Sequence, residues 1–117
     1  MIFVYICNEK KRLYRMKRPE IVSQISKVMH QQHPDVQVIL YGSEARGDAR
    51  PDSDIDLLVL VDKDNINLDE QLAIGRPLYD IELDTGVIIS SFFDTVKNWN
   101  SRVTEFTENV NREGIRL

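Results

Sequence analysis

The segment DIDLLVLV, residues 54–61, constrains the fold more than any other part of the chain. Successive side chains of a strand point to opposite faces, so Leu58 and Leu60 would share a face with the two aspartates, while Ile55, Leu57, Val59 and Val61 would fill the other. A strand that is apolar on both faces needs a covering layer on each side. We therefore predict a central strand over 54–61, in a small mixed α/β sheet with flanking helices.

Other elements follow from apolar spacing and from helix breakers. Pro19 suits the first turn of a helix, and apolar residues then recur at helical intervals as far as Met29. We predict a helix from Pro19 to Gln32, ended by His33-Pro34. Residues 36–41 are mostly β-branched or apolar, residues 87–93 are rich in β-branched and aromatic side chains, and both runs predict strands. Together with the central strand they predict a three-stranded core.

Two further regions, residues 68–85 and the segment beyond the third strand, also predict helices. Residues 68–85 fit a helix that ends at Gly86, but the alternation of apolar and acidic residues over 79–84 also fits a strand, and we favour the helix. Beyond the third strand, Trp99, Val103, Phe106 and Val110 follow one another at offsets of four, three and four. This spacing predicts one closing helix ended by Gly114, with Trp99 and Phe106 as core residues.

The length of 117 residues fits one domain, which we assign to residues 16–117. Met16 stands directly before the first predicted helix, so we interpret residues 1–15 as an N-terminal extension that need not be ordered. The single cysteine, Cys7, cannot form an intrachain disulfide, which favours a reducing, cytoplasmic setting. No apolar run approaches the roughly 20 residues needed to span a membrane, so we expect no membrane association.

Charge is distributed unevenly along the chain. Six of the 15 basic residues lie between Lys10 and Arg18, a cluster that we interpret as a flexible arm. From Pro19 onward, the chain contains nine basic residues and 18 acidic ones. Because basic surface supplies most of the affinity for nucleic acid, this balance argues against binding of long DNA or RNA.

The segment that suggests chemistry runs from Leu40 to Val61. Gly42 would let the backbone approach a ligand closely, and Ser43 at the start of a short helix would offer a hydroxyl and free N–H groups to phosphate oxygens. Asp54 and Asp56 lie two apart on a strand, so both side chains would leave the same face, close enough to hold one or two hard cations. The pattern predicts a phosphate turn facing a pair of metal-binding carboxylates.

These residues resemble the DNA polymerase β-like nucleotidyltransferase superfamily, and within it the minimal nucleotidyltransferases. The family pattern is Gly-Ser, ten residues and Asp-x-Asp, which Gly42-Ser43 and Asp54-Ile55-Asp56 match without a gap; Arg46-Gly47 matches the form usual in the minimal group. The resemblance implies the polymerase β-like fold and transfer of a nucleoside monophosphate from an NTP, with ATP favoured, to an acceptor hydroxyl. Asp54 and Asp56 would bind Mg²⁺, two ions with NTP bound, while Gly42, Ser43 and Arg46 would bind the nucleotide phosphates.

The same resemblance raises two open questions. Family members usually carry a third metal-binding carboxylate on the next strand, but the expected position in this chain falls near Ile88 or Ser90. Glu82 or Asp84 could be the third ligand under the competing strand assignment. An equal alternative is that the third ligand is missing. Small members often work with a helical partner of the HEPN class, as the antitoxin of a toxin–antitoxin pair, and self-association is another possibility. The alternative function is a catalytically degenerate protein that binds nucleotide or a partner and acts by complex formation.

Overall fold

The computed structural model describes residues 16–117, and the predictions for residues 1–15 lie outside that part of the chain. Its centre is a four-stranded mixed sheet. The strands are β1 (Gln37–Tyr41), β2 (Ile55–Val61), β3 (Ile89–Thr95) and β4 (Ile115–Arg116). Their order across the sheet is β3-β2-β1-β4, with β2 antiparallel to β1 and parallel to β3. The central strand predicted over 54–61 is confirmed, beginning one residue later at Ile55, as is the mixed α/β fold class.

Helices cover both faces of the sheet. They are α1 (Pro19–Gln32), α2 (Gly42–Arg46), α3 (Leu68–Thr85), α4 (Val96–Ser101) and α5 (Glu105–Glu113). α1 and α3 lie on one face, α4 and α5 lie on the other, and the short α2 joins β1 to the loop that leads into β2. None of the described helices is both long enough and apolar enough to cross a membrane.

The larger core lies between the sheet and the α1–α3 layer. Ile55, Leu57 and Val59 of β2 are completely buried there, packed in one cluster with Ile25 of α1 and Leu78 of α3. Fully burying a side chain of this size stabilises the fold by about 1.5–3 kcal/mol relative to leaving it exposed. This cluster is the main apolar support of the sheet.

A smaller core fills the opposite face. Leu58 and Leu60 of β2 pack there with Trp99 of α4 and Val110 of α5. Asp56 belongs to the same face by alternation, one position beyond this apolar cluster, and it is only half-buried. The α4–α5 layer therefore leaves a polar opening at the Asp56 end of the sheet.

The favoured helical assignment of residues 68–85 is confirmed. Asn67 caps the start of α3, since its side-chain oxygen accepts a hydrogen bond from the Glu70 N–H at 2.8 Å. Gly86 ends it in the left-handed conformation, at φ +73°, which glycine adopts without steric cost. The competing strand over 79–84 is wrong, because those residues lie within α3.

Three other predictions need correction. The closing helix is two helices, because the Thr104 side chain accepts a hydrogen bond from the Thr107 N–H and begins α5 anew, which leaves Val103 exposed in the break. Phe106 is 40% exposed and is therefore no core residue, whereas Trp99 is buried as predicted. The third strand begins at Ile89, two residues later than predicted, and β4 was not predicted at all.

Candidate active site

The turn at Gly42 brings the end of β1 against Asp56. Gly42 has φ +76°, in the left-handed region that favours glycine, and a Cβ built on it would collide with the Asp56 carboxylate. Tyr41 precedes α2 in an extended conformation, and no described side chain caps the first turn of that helix. The first N–H groups of α2 therefore lie beside Asp56 without a side-chain acceptor.

An open cavity of about 550 Å³ lies beside this turn. The five residues predicted to act at the site all line it: Gly42, Ser43, Arg46, Asp54 and Asp56. Asp54 lies just before β2 and Asp56 is its second residue, so the two carboxylates reach the cavity from the edge of the sheet. The structure thus brings the Gly-Ser turn and the Asp-x-Asp pair to one place.

Two carboxylates of the cavity repel each other. Burial raises the pKa of Asp56 above its ordinary value, and repulsion from Asp54 raises it further, while Arg46 acts in the opposite direction. The pKa of Tyr41 is also raised, first by burial and then by Asp56. Two carboxylates that repel each other fit a hard divalent cation such as Mg²⁺, which would relieve that repulsion.

Arg46 lies at the rim, between the turn and α5. Its guanidinium group forms ion pairs with Asp48 and Glu113, each at 3.2 Å. Hydrogen bonds to these two carboxylates raise the pKa of Arg46, so the side chain stays cationic. Arg46 therefore supplies a positive charge that favours the ionised form of Asp56.

Behind the cavity, a buried ion pair joins its two walls. Glu44 of α2 is fully buried, and its carboxylate accepts hydrogen bonds from the backbone N–H groups of Lys17 and Arg18 and, at 2.6 Å, from Arg18 Nε. Arg18 Nη1 donates to the Ser53 carbonyl oxygen at 2.6 Å. Since Ser53 precedes Asp54, this network fixes the turn relative to the carboxylates. Arg18 is thus no part of a flexible arm, contrary to the prediction.

Helix α5 contributes side chains that the sequence analysis did not place at the site. Phe106, Asn109 and Glu113 line the cavity, on the same face of α5 as the buried Val110. Phe106 also makes edge-on contacts with Tyr41 and two other aromatic rings, at centroid distances of 5.6–5.7 Å. The helical spacing of Asn109 and Glu113 from Phe106 and Val110 was the sequence signal that could have placed them at the site, because it puts them on the same face of α5.

The neighbouring strand offers no third carboxylate beside Asp56. Ser90 of β3 is the residue paired with Asp56 in the sheet. Glu82 and Asp84 lie in α3, in the layer on the other face, and Glu82 accepts a hydrogen bond from the Ile89 N–H at 2.7 Å. Among residues 16–117, no group of three or more His, Cys, Asp or Glu side chains is placed to hold a metal ion. Any metal here would rely on Asp54, Asp56 and ligand oxygens.

Comparison with known proteins decides the family. The model of a family described as "Nucleotidyltransferase domain" matches residues 22–109, three quarters of the chain. The chain belongs to the nucleotidyltransferase domain family. A search of curated proteins finds no match.

Solved structures agree with this nucleotidyltransferase fold. One is a crystal structure of a toxin–antitoxin with AMP-PNP, with a TM-score of 0.53 and 22% identity over 80% of this chain and 69% of that one. A second, a mutant of the toxin–antitoxin MntA-HpeT, has a TM-score of 0.52 and 20% identity over the same shares. At this identity the likeness shows the fold alone. The matched nucleotidyltransferase region includes the whole segment from Gly42 to Asp56, while Glu113 lies beyond it.

Proposed function

We propose that this nucleotidyltransferase domain, residues 16–117, is a cytoplasmic, Mg²⁺-dependent enzyme that transfers a nucleoside monophosphate from ATP to a hydroxyl group on a partner protein. One observation carries the proposal: Asp54 and Asp56 line the same cavity as the Gly42–Ser43 turn. Family membership supports the class of reaction. The volume of about 550 Å³ lies within the range of cavities that take small ligands.

Each site residue then has a defined task. The Gly42–Ser43 turn binds the β- and γ-phosphates through backbone N–H groups and the Ser43 hydroxyl, and Arg46 adds a positive charge at the rim. Asp54 and Asp56 would hold the two Mg²⁺ ions. Bound Mg²⁺ would stabilise charge on the attacking and leaving oxygens.

The transfer itself forms one bond and breaks another. The acceptor oxygen attacks the α-phosphorus, the bond to the β-phosphate oxygen breaks, and pyrophosphate leaves with that electron pair. The hydroxyl proton must pass to a base. With serine at position 90, β3 offers no carboxylate beside Asp56 to receive it, so we expect slow transfer unless a partner supplies a further group.

Two observations favour a protein as the acceptor. The two similar structures are toxin–antitoxin proteins, which supports an antitoxin role in which this chain modifies a helical partner of the HEPN class. The exposed apolar surface of the described chain also supports a protein partner over a free small molecule.

A second candidate function is favoured by one observation, the serine at position 90. A domain without the third carboxylate could retain nucleotide or partner binding and act through complex formation alone. The two functions differ in whether covalent transfer takes place.

Transfer of label from α-³²P-ATP to the co-expressed partner separates the two candidates. The matched variants are Asp54→Asn/Asp56→Asn, in the cavity, and Asp52→Asn, on the exposed loop just before it. We expect label on the partner with the wild type and with Asp52→Asn, and none with the double variant. Equal neutralisation of the partner by all three proteins, without label, would favour complex formation.

A further inference from the structure

The outer face of α3 carries an unusual apolar stripe. Leu68, Leu72, Tyr79 and Leu83 are each between 57% and 68% exposed, and they follow one another at intervals of four, seven and four residues. At about 100° per residue, these positions fall within about 60° of arc, so they form one line about 22 Å long. The buried face of the same helix is a different one, formed by Ile74, Pro77, Leu78 and Ile81.

A helix that is apolar on two faces has more apolar surface than one sheet can cover. Half of the eight large apolar side chains that are exposed within residues 16–117 lie on this stripe. Contiguous exposed apolar surface of this kind is typical of an interaction site. A straight line along one helix fits a second helix laid against it.

Gly75 forms a notch between Leu72 and Tyr79. A Cβ at this position would lie 3.7 Å from Phe93 Cζ, which is ordinary van der Waals distance, so alanine would fit without strain. Alanine is also the stronger helix former. Packing inside the fold therefore does not require glycine here. Gly75 is half-buried, and its lack of a side chain lowers the surface of α3 between Leu72 and Tyr79.

Charge beside the stripe indicates what the occupant must carry. α3 contains five carboxylates and one cation, Arg76, and the exposed residues Asp69, Asp80 and Asp84 lie along one flank of the stripe. A second copy of this chain would bring two such acidic helices together, which like-charge repulsion opposes. A helix with lysine or arginine along its flank would be complementary.

We propose that the stripe of Leu68, Leu72, Tyr79 and Leu83, with its notch at Gly75, docks an amphipathic helix of a partner protein whose apolar face is flanked by basic residues. The stripe lies on the opposite side of the sheet from the cavity, so an occupant there leaves the nucleotide site open. This inference extends the partner role of the proposed function, and its test uses no nucleotide, so the two can fail separately.

The probes are two synthetic amphipathic helices of about 18 residues, identical except that the flanking positions are lysine in one and glutamate in the other. Fluorescence anisotropy with the full chain measures both affinities. We expect the lysine peptide to bind at least tenfold more tightly than the glutamate peptide, and to lose that advantage in high salt. Leu72→Asp should weaken binding of the lysine peptide at least tenfold, whereas Val103→Asp, an exposed apolar control away from α3, should not.

Gly75→Ala distinguishes docking from simple folding effects. We expect this variant to melt at a higher temperature than the wild type and yet to bind the lysine peptide several-fold more weakly, because the notch is filled. Equal binding of the two peptides, or full affinity in Gly75→Ala and Leu72→Asp, would overturn the proposal.

Two other occupants would also overturn it. Self-association of the wild type that Leu72→Asp abolishes in sedimentation would show that a second copy covers the stripe. In a Leu72→Cys variant, an intrachain disulfide with Cys7, the single natural cysteine, would show that residues 1–15 cover it.

Discussion

Replacing Glu44 with glutamine tests whether the buried ion pair fixes the two walls of the site. Both oxygens of the Glu44 carboxylate accept hydrogen bonds, two at one oxygen from backbone N–H groups and one at the other from Arg18 Nε. An amide has one acceptor oxygen, so Glu44→Gln turns an N–H group towards a buried donor and leaves Arg18, only 12% exposed, without its counter-ion.

The expected loss can be placed within limits. Removing one partner of a buried ion pair costs about 3–5 kcal/mol, which is a large part of the about 5–15 kcal/mol that holds a domain together. For a domain of this size, each kcal/mol lowers the melting temperature by about 4 °C, so we expect a fall of about 12–20 °C. Urea unfolding, followed by the fluorescence of the single and buried tryptophan Trp99, measures the change in the free energy of unfolding, and a thermal melt measures the fall in melting temperature.

A matched substitution supplies the control. Glu70 forms a 2.9 Å ion pair with Lys63 at the surface, where such pairs contribute at most about 1 kcal/mol. Glu70→Gln should therefore unfold almost as the wild type does. Adding Arg18→Met to Glu44→Gln should cost less than the sum of the two single changes, because the pair acts as a unit. If Glu44→Gln and Glu70→Gln differ by less than about 0.5 kcal/mol, the reasoning is wrong.

Three further predictions concern the cavity. Gly42→Ala should weaken binding of Mg²⁺ with a non-hydrolysable ATP analogue at least tenfold by calorimetry, because its Cβ would collide with Asp56 at a backbone angle that favours glycine. Ser90→Asp should raise the rate of label transfer by about 10²–10⁴, because it supplies a carboxylate beside Asp56 that can accept a proton. Asp56→Asn should be more stable than the wild type at neutral pH without divalent metal. Because the pKa of Asp56 is raised in the folded state, the wild type loses stability as the pH rises from 3.8 through the folded-state pKa. Asparagine does not ionise, so the variant does not lose that stability.

Each of these predictions has a result that would contradict it. Gly42→Ala with unchanged affinity would mean that the turn does not contact the nucleotide. Ser90→Asp without faster transfer, in a protein that still binds Mg²⁺, would mean that the absent carboxylate does not limit the reaction. For Asp56→Asn, thermal melts over a pH series should converge with those of the wild type below pH 3.8, and Mg²⁺ should stabilise the wild type alone; parallel curves at all pH values would refute the electrostatic account.

Local signals predicted most of the fold. The helix Pro19–Gln32 has the predicted bounds, because proline suits its first turn and His33-Pro34 stops it. The central strand could be predicted because apolar side chains occupy both of its faces. The closing helix was predicted as one because its apolar spacing continues across the break, and a cap at Thr104 depends on a hydrogen bond that spacing does not reveal.

Contacts between distant residues account for what the sequence could not predict. Arg18 and Glu44 are 26 positions apart, and nothing in either local pattern indicates that they meet. Asn109 and Glu113 share a helix face with Val110, but periodicity alone does not say which part of the sheet that face covers. The Gly-Ser and Asp-x-Asp motifs could be found because both lie within one short segment whose strand, turn and strand place them together.

Binding of a nucleotide with Mg²⁺ tests the central claim most directly. Calorimetric titration of Mg²⁺ and AMP-PNP into the full chain should give one saturable site in the wild type and in Asp52→Asn. The Asp54→Asn/Asp56→Asn variant should bind at least about 100-fold more weakly, since it removes both charged ligands of the cavity. Equal affinity in all three proteins would contradict a nucleotide site built from these two aspartates and the turn at Gly42.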